Sequence, residues 1–197
     1  MTSRPTALPR SFYARGALEV APELLNKVLV APDGRAGRIV EVEAYRGTDD
    51  PGSHSFRGMT RRNATMFGPP GRLYVYFTYG MHWCANVVAE PDGVAAAVLL
   101  RALTPLDGLD AMHAARGPAA RRDRDLCSGP AKLTQALGID GALDGANLVT
   151  ADRGVTIVDD GRPPPPAPAV TTRIGLTSGA DLPWRLHVPD VPDVSRR

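Results

Sequence analysis

Several features are scarce in this 197-residue chain, and each scarcity excludes a class of protein. The two cysteines, Cys84 and Cys127, lie far apart in the sequence and match neither a disulfide framework nor a zinc-ligand pattern. No apolar run is long enough to cross a bilayer, and residues 1–11 lack the apolar segment of a secretory signal. We therefore predict a reduced, cytoplasmic protein that does not enter a membrane.

Acidic residues are absent from residues 51–89, a stretch that contains four arginines. Residues 140–160, by contrast, contain five aspartates and one arginine. A chain with a formal net charge of only +2 can still present one basic, phosphate-binding face when its charges are distributed in this way. Ordinary solvated arginines explain the same pattern equally well, so charge alone leaves both interpretations open.

The hydropathy pattern predicts one domain of α+β class, in which a curved antiparallel β-sheet carries flanking helices and a protruding β-hairpin. The predicted strands are residues 27–31, 38–45, 73–78, 81–88, 94–103, 173–176 and 184–188. The predicted helices are residues 17–25, 106–116 and 130–137. Residues 1–16 are interpreted as a flexible N-terminal arm, and residues 162–170 form a proline-rich loop.

The strand at residues 38–45 carries the most suggestive polar groups. Side chains alternate between the two faces of a strand, so Glu41, Glu43 and Tyr45 share one face and the apolar residues share the other. The simplest explanation is an edge strand with one face in water. The chain then leads through a short turn to His54, however, and a carboxylate beside aromatic rings and a histidine is suited to activating water.

His54 allows more than one interpretation. The other three histidines and both cysteines supply no metal-ligand spacing around it, so we expect no metal and no other cofactor. A hydrogen-bonding or stacking role fits the aromatic surroundings better than metal binding does. An ordinary structural histidine remains the alternative.

Residues 73–83 are predicted to form a hairpin with large apolar groups at its tip. Tyr74, Tyr76 and Thr78 share one face, and the turn near Gly80 leaves Tyr79 and Met81 at the end. Proteins that bind the minor groove insert such side chains between base steps, while neighbouring arginines hold the phosphates. The alternative is a tip that folds back onto the protein's own core.

An ordered set of motifs resembles the alkyladenine (3-methyladenine) DNA glycosylase family, from about residue 18 to the C-terminus. The motifs are Gly37-Arg-Ile-Val-Glu-Val-Glu-Ala-Tyr45, His54-Ser55, Arg62-Asn63, Gly71-Arg-Leu-Tyr-Val-Tyr76, Tyr79-Gly-Met81, Asn86, Leu99-Leu-Arg-Ala102 and Ser128-Gly-Pro-Ala-Lys132. One such tetrapeptide would be weak support, whereas the ordered set is specific. His82, Trp83 and residues 59–65 depart from the family pattern, which leaves the preference among lesions open.

The resemblance implies a role for each matching residue. Glu43 is expected to be the general base for a water molecule that Arg101 helps to place, at the mouth of a cleft lined by rings. The extruded base is expected to lie among Tyr45, His54 and Tyr76. The remaining expected roles are exclusion of normal guanine by Asn86, filling of the gap in the duplex by Tyr79 with support from Met81, and phosphate contacts from Arg62 and Lys132.

The implied partner is double-stranded DNA that contains a damaged purine, bound by a monomer that associates with the nucleoid. Glycosylases that also nick the strand need an amine for a Schiff base. This chain has only two lysines, Lys27 and Lys132, and neither lies near the Glu43 or Tyr76 motifs in sequence. We therefore expect water to be the nucleophile and expect no lyase activity.

Two other classes of function compete with this interpretation. The same fold could recognise lesions or structured RNA without catalysis. An enzyme of another class, such as a relative of the formyltransferase barrels or a zinc deaminase, is the second competitor. A deaminase would need a Cys/His zinc set near a glutamate, and the sequence contains no Cys-x-x-Cys.

Overall fold

A computed structural model describes residues 5–195 of the chain. The strands are Thr6–Ala7 (β1), Val28–Val30 (β2), Ala36–Tyr45 (β3), Leu73–Thr78 (β4), His82–Ala89 (β5), Ala96–Asp107 (β6), Thr156–Asp159 (β7), Ala169–Thr171 (β8) and Arg185–His187 (β9). The α-helices are Arg10–Tyr13 (α1), Ala17–Leu24 (α2), Leu109–Arg116 (α3) and Pro130–Leu137 (α4). Short 3-10 turns occupy Gly47–Asp49, Ala64–Phe67, Gly117–Ala119, Asp123–Asp125 and Gly141–Leu143. No helix within residues 5–195 has the length and apolar character that a membrane span requires.

The strands form one open sheet in which every pairing is antiparallel, which confirms the α+β prediction. Its order is β1-β7-β2-β3-β6-β5-β4, and β9 adds to β3 and carries β8 on its other side. Helix α2 packs against β3, and α4 packs against β5 and β6, so both helices cover the main hydrophobic core. The predicted hairpin is β4 and β5, which lies at one end of the sheet order.

Strand β3 is central rather than an edge strand. Strand β6 pairs with it along most of its length. Its opposite side pairs with β2 at residues 36–38 and with β9 at residues 41–43. Glu41 and Glu43 are consequently fully buried, so the interpretation of a polar face in water is wrong.

Two irregularities in the β3–β6 pairing determine which side chains meet. Ile39 pairs with Leu103 and Glu41 with Ala102, so one extra residue of β3 lies between these pairs. Val42 then pairs with Leu100, which leaves Arg101 as an extra residue of β6. Bulges of this kind redirect side chains and are common next to active sites. Here they leave Arg101 beside the carboxylates of β3.

The predicted elements agree with the structure most closely in the middle of the chain, where residues 73–78 and 130–137 match the observed bounds. The strand predicted at residues 173–176 is wrong, because the partner of β9 is β8, which begins inside the proline-rich segment. Residues 6–13, expected to be part of an arm, form β1 and α1, and Tyr13 is fully buried. Residues 1–4 of that arm lie outside the described part.

Gly47, two residues after the end of β3, tests how tightly the chain is held as it leaves the central strand. Its φ is +82°, and a Cβ built on it would lie 2.7 Å from the carbonyl oxygen of Ala95. We expect Gly47→Ala to lower the free energy of unfolding by about 2–4 kcal/mol, because left-handed strain and a backbone clash add. Urea unfolding followed by circular dichroism measures the change.

Gly34→Ala is the matched control. Gly34 has a similar φ of +87°, but nothing lies within 4 Å of its added Cβ. Only the backbone term of about 1–2 kcal/mol should remain. Equal losses in the two variants would show that the contact with Ala95 does not restrain this turn.

Candidate active site

A cavity of about 250 Å³ opens between the hairpin, the end of β3 and the loops that follow β3 and β8. Part of its aromatic wall follows from the alternation of side chains along β4, which places Tyr74 and Tyr76 side by side on one face. Pockets for drug-sized ligands occupy roughly 300–1,000 Å³. The cavity is therefore suited to a smaller molecule.

His54 lies on the rim of the cavity against the two tyrosines of β4. Its ring centroid is 4.5 Å from that of Tyr76 at an interplanar angle of 77°, and its Nδ1 is 3.2 Å from the hydroxyl of Tyr74. Partial removal of the ring from water and, to a smaller extent, the charge of Arg62 lower the pKa of His54. A lowered pKa favours the neutral imidazole. Tyr74 was not among the predicted site residues, although its position two residues before Tyr76 already indicated the shared face.

The ring of Tyr45 forms another part of the aromatic wall, and an arginine side chain lies over this ring. The guanidinium of Arg173 lies 4.6 Å from the ring centroid of Tyr45 and 5.0 Å from that of Trp184. Arg173 is itself paired with the buried carboxylate of Asp50 at 2.6 and 2.7 Å. No pattern in the sequence indicated this support, because Asp50 and Arg173 are 123 positions apart.

Glu43 lies directly behind the cavity wall. The hydroxyl of Tyr45 donates to its Oε2 at 2.9 Å, and the backbone N–H of Ile174 donates to its Oε1 at 2.7 Å. Nη1 of Arg101 is 3.2 Å from the same Oε1. These three partners line the cavity, whereas Glu43 does not. The structure thus differs from the expectation of a carboxylate at the mouth of the cleft.

Tyr45 links the wall to this carboxylate, and its own ionisation is suppressed. Burial raises the pKa of the Tyr45 hydroxyl, and the adjacent negative charge of Glu43 raises it further. The hydroxyl therefore stays protonated and serves as a donor at neutral pH. A donor fixed on Oε2 leaves the remaining lone-pair positions of that oxygen for another proton source.

The hairpin tip projects outward, so the alternative in which it folds back onto the core is wrong. Tyr79 is 80% exposed and Met81 is 67% exposed. The N–H of Met81 donates to the carbonyl of Thr78 at 3.2 Å, and the two residues inside this turn have φ values of +51° (Tyr79) and +66° (Gly80). A bulky residue with positive φ carries backbone strain of about 1–3 kcal/mol, and such strain is concentrated at functional sites.

Asn86 and Arg101 complete the inner wall, and both are buried. The amide nitrogen of Asn86 donates to the carbonyl of Tyr74 at 3.1 Å, which fixes the orientation of its side chain. The wall therefore contains a polar group of fixed orientation as well as aromatic rings.

The predicted phosphate contacts lie at different places around the opening. Arg62 is exposed, donates to the carbonyl of Phe77 at 2.8 Å and lies 5.6 Å from the ring centroid of Tyr76. Lys132 is half-buried in the first turn of α4, where its Nζ is 3.3 Å from Oγ of Ser128. Arg57 and Arg61 are also exposed, in the loop between β3 and β4. Arg62 thus lies beside the cavity and the hairpin, whereas Lys132 is held by its own turn.

Similarity to known proteins shows the family to which the chain belongs. Residues 11–192 match the family model described as "Methylpurine-DNA glycosylase (MPG)". A protein of Burkholderia lata named "Putative 3-methyladenine DNA glycosylase" is 64% identical over 92% of this chain and 87% of its own length. Proteins with the same name from Carboxydothermus hydrogenoformans and Streptomyces avermitilis are 48% and 47% identical, each over 96% of this chain and over 99% and 91% of their own lengths. The chain is a member of the methylpurine-DNA glycosylase family.

Proposed function

We propose that this protein removes alkylated purines, such as 3-methyladenine, from double-stranded DNA by hydrolysing the bond between base and sugar. The observation that supports the proposal best is a ring-lined cavity with a buried carboxylate behind its wall and a strained, exposed tyrosine at its edge. The damaged nucleotide rotates out of the duplex and its base enters the cavity. Tyr79 fills the gap that the base leaves.

The aromatic wall supplies the energy for holding the base. Stacking on aromatic side chains contributes about 1–3 kcal/mol per base, which is comparable to the few kcal/mol needed to unstack and unpair a damaged base. A purine alkylated at N3 or N7 carries positive charge, so the faces of Tyr45 and Tyr76 also attract it electrostatically. The neutral imidazole of His54 adds surface without repelling that charge.

Selection against normal bases depends on small differences in free energy, because the gain from stacking in the cavity and the cost of flipping the nucleotide nearly cancel. The fixed amide of Asn86 excludes the exocyclic amino group of normal guanine by steric contact. Weak pairing at the lesion and the better leaving group of a cationic purine add to the discrimination. An alkylated purine is therefore released in preference to an undamaged one.

Glu43 acts as the general base. A water molecule that enters between Tyr45, Arg101 and Ile174 reaches Glu43 and passes one proton to its carboxylate. The water oxygen bonds to the anomeric carbon while the glycosidic bond breaks, and the purine leaves with the electron pair of that bond. The negative carboxylate also faces the positive charge that develops on the sugar.

We further infer that the protein acts as a monomer on the DNA of the cytoplasm.

We also infer that it does not cleave the sugar-phosphate chain. Of the two lysines, Lys27 is paired with Asp159 at 2.7 Å and Lys132 is bound to Ser128. Neither belongs to the cavity wall. Water is therefore the better placed nucleophile.

Glu43→Gln tests the base directly. We expect the single-turnover rate of base release from methylated duplex DNA to fall at least 100-fold, because general-base catalysis of this kind contributes about 10²–10⁴. DNA affinity should stay within about twofold. Glu23→Gln, which removes the charge of a half-exposed glutamate paired with Arg15, is the control and should release base normally. Unchanged release by Glu43→Gln would show that Glu43 is not the general base, whereas no release by the natural protein would favour the non-catalytic binding module.

Tyr79→Gly separates the role of the tip from its contribution to folding. Glycine tolerates the φ of +51° without strain, so the variant should be at least as stable as the natural protein. We expect base release from duplex DNA to fall about tenfold or more, because nothing fills the gap in the stack. Val170→Ala, at a 55% exposed residue of β8, is the control. A fully active Tyr79→Gly protein would remove the wedge from the mechanism.

Borohydride trapping checks the choice of nucleophile. Reduction captures an enzyme that is joined to DNA through an imine, as in glycosylases that use an amine. Incubation with methylated duplex and sodium borohydride should yield free base and no covalent protein–DNA adduct. An adduct that disappears in Lys132→Gln would make that lysine the nucleophile and contradict the hydrolytic mechanism.

A further inference from the structure

Glu41 is a second fully buried carboxylate on β3, two residues before the proposed base and outside the cavity wall. Its Oε1 accepts from Nε of Arg101 at 2.9 Å, from Nε of Arg185 at 2.6 Å and from the Ser195 hydroxyl at 2.8 Å. Its Oε2 accepts from the backbone N–H of Ser195 at 2.6 Å. We call Glu41, Arg101, Arg185 and Ser195 the Glu41 cluster.

Glu41 remains ionised although its side chain is fully buried. Burial alone would raise the pKa of Glu41, but the charge of Arg101 and the hydrogen bonds from Arg185 and Ser195 outweigh burial and lower that pKa. A buried, ionised carboxylate persists only with such compensation. Glu41 is therefore a permanent negative charge next to Arg101.

All three nitrogens of the Arg101 guanidinium are occupied. Nε donates to Glu41, Nη2 donates to the Ser195 hydroxyl at 3.2 Å, and Nη1 faces Glu43 at 3.2 Å. The planar guanidinium is thus held at two points by Glu41 and Ser195 and meets Glu43 at one. Without those two anchors, the arrangement that arginine favours is a two-point pair with a carboxylate. Such a pair would engage both oxygens of Glu43.

We propose that Glu41 and Ser195 are positioning residues, which hold Arg101 to a single contact with Glu43. Oε2 of Glu43 then accepts only from the Tyr45 hydroxyl and keeps a lone-pair position for a proton from water. This inference rests on the proposed function, because it assigns the cluster a role in that reaction. The hydroxyl of Ser195 bridges Arg101 and Glu41, and its removal leaves the backbone contact of Ser195 with Glu41 in place.

A purely structural role for Ser195 is the competing explanation, since this residue also fastens the C-terminal segment to the sheet. The same segment has an independent anchor, because the hydroxyl of Thr104 donates to Asp193 at 2.7 Å. Thr104 makes no contact with the Glu41 cluster in the hydrogen bonds of residues 5–195. Loss of the Thr104 hydroxyl therefore loosens the segment without disturbing Arg101, which makes Thr104→Ala a matched control.

The experiment compares Ser195→Ala, Ser195→Thr and Thr104→Ala with the natural protein in single-turnover base release from methylated duplex DNA. We expect Ser195→Ala to lower the maximal rate about tenfold, the scale for one charge-assisted hydrogen bond, with half-saturation unchanged within about twofold. Ser195→Thr keeps the hydroxyl and should restore at least half of the rate. Thr104→Ala should react at the natural rate.

A spectroscopic measurement on the same proteins reports Arg101 itself. The Nε–H of a guanidinium buried against a carboxylate exchanges slowly with water, so the nitrogen-15 signal of Arg101 should be resolved in the natural protein and should broaden in Ser195→Ala only. Glu41→Gln is a second variant where it folds, with an expected loss of rate larger than that of Ser195→Ala.

The possible results are distinct. An active natural protein with an unimpaired Ser195→Ala variant overturns the positioning role and leaves the proposed function standing. Equal loss of rate in Thr104→Ala and Ser195→Ala also overturns it, because anchoring of the C-terminal segment would then explain both. If the natural protein releases no base from any alkylated duplex, the proposed function fails and the positioning role fails with it.

Discussion

The need to supply partners for two glutamates buried inside the sheet is the constraint on which the rest of the structure depends. Glu41 and Glu43 lie on the central strand with no exposure to water, and an isolated buried charge costs far more than the stability of a domain. Arg101 from β6 and Arg185 from β9 supply the compensating charges, while backbone N–H groups of Ile174 and Ser195 supply further donors. Four separate parts of the chain must therefore meet at β3, and the cavity forms where they meet.

The aromatic cavity also depends on the contacts that these segments make with β3. Strand β3 ends in Tyr45, whose hydroxyl binds Glu43, so the ring is fixed at the edge of the charged cluster. Arg173 then stacks on Tyr45 and pairs with Asp50, which joins the loop after β3 to the segment after β8. A rigid wall of this kind holds a flat molecule with little loss of side-chain entropy on binding, which is the advantage of pre-organisation.

Features of the site that depend on residues close together in sequence could be predicted, and features that depend on distant residues could not. The shared face of Tyr74 and Tyr76 and the projecting tip at Tyr79 come from alternation within one hairpin, and the sequence displays that pattern directly. The burial of Glu41 was not predictable in this way, because it depends on β9, which is 144 positions away from it. The bulge that releases Arg101 from the β6 ladder leaves no periodic trace within an almost wholly apolar run. Local periodicity therefore revealed the wall of the cavity, and long-range pairing determined its charged support.

The late position of β9 in the chain has a kinetic consequence. Pairing of β9 with β3 closes a loop of well over a hundred residues, and contacts between such distant positions form slowly because the chain must first lose much of its freedom. A nascent chain can complete β2 through β6 before residues 185–195 leave the ribosome, yet at that stage Glu41 lacks both the charge of Arg185 and the hydrogen bonds from Ser195. The charged centre therefore assembles only after residues 185–195 have been synthesised, later than the strands that surround it.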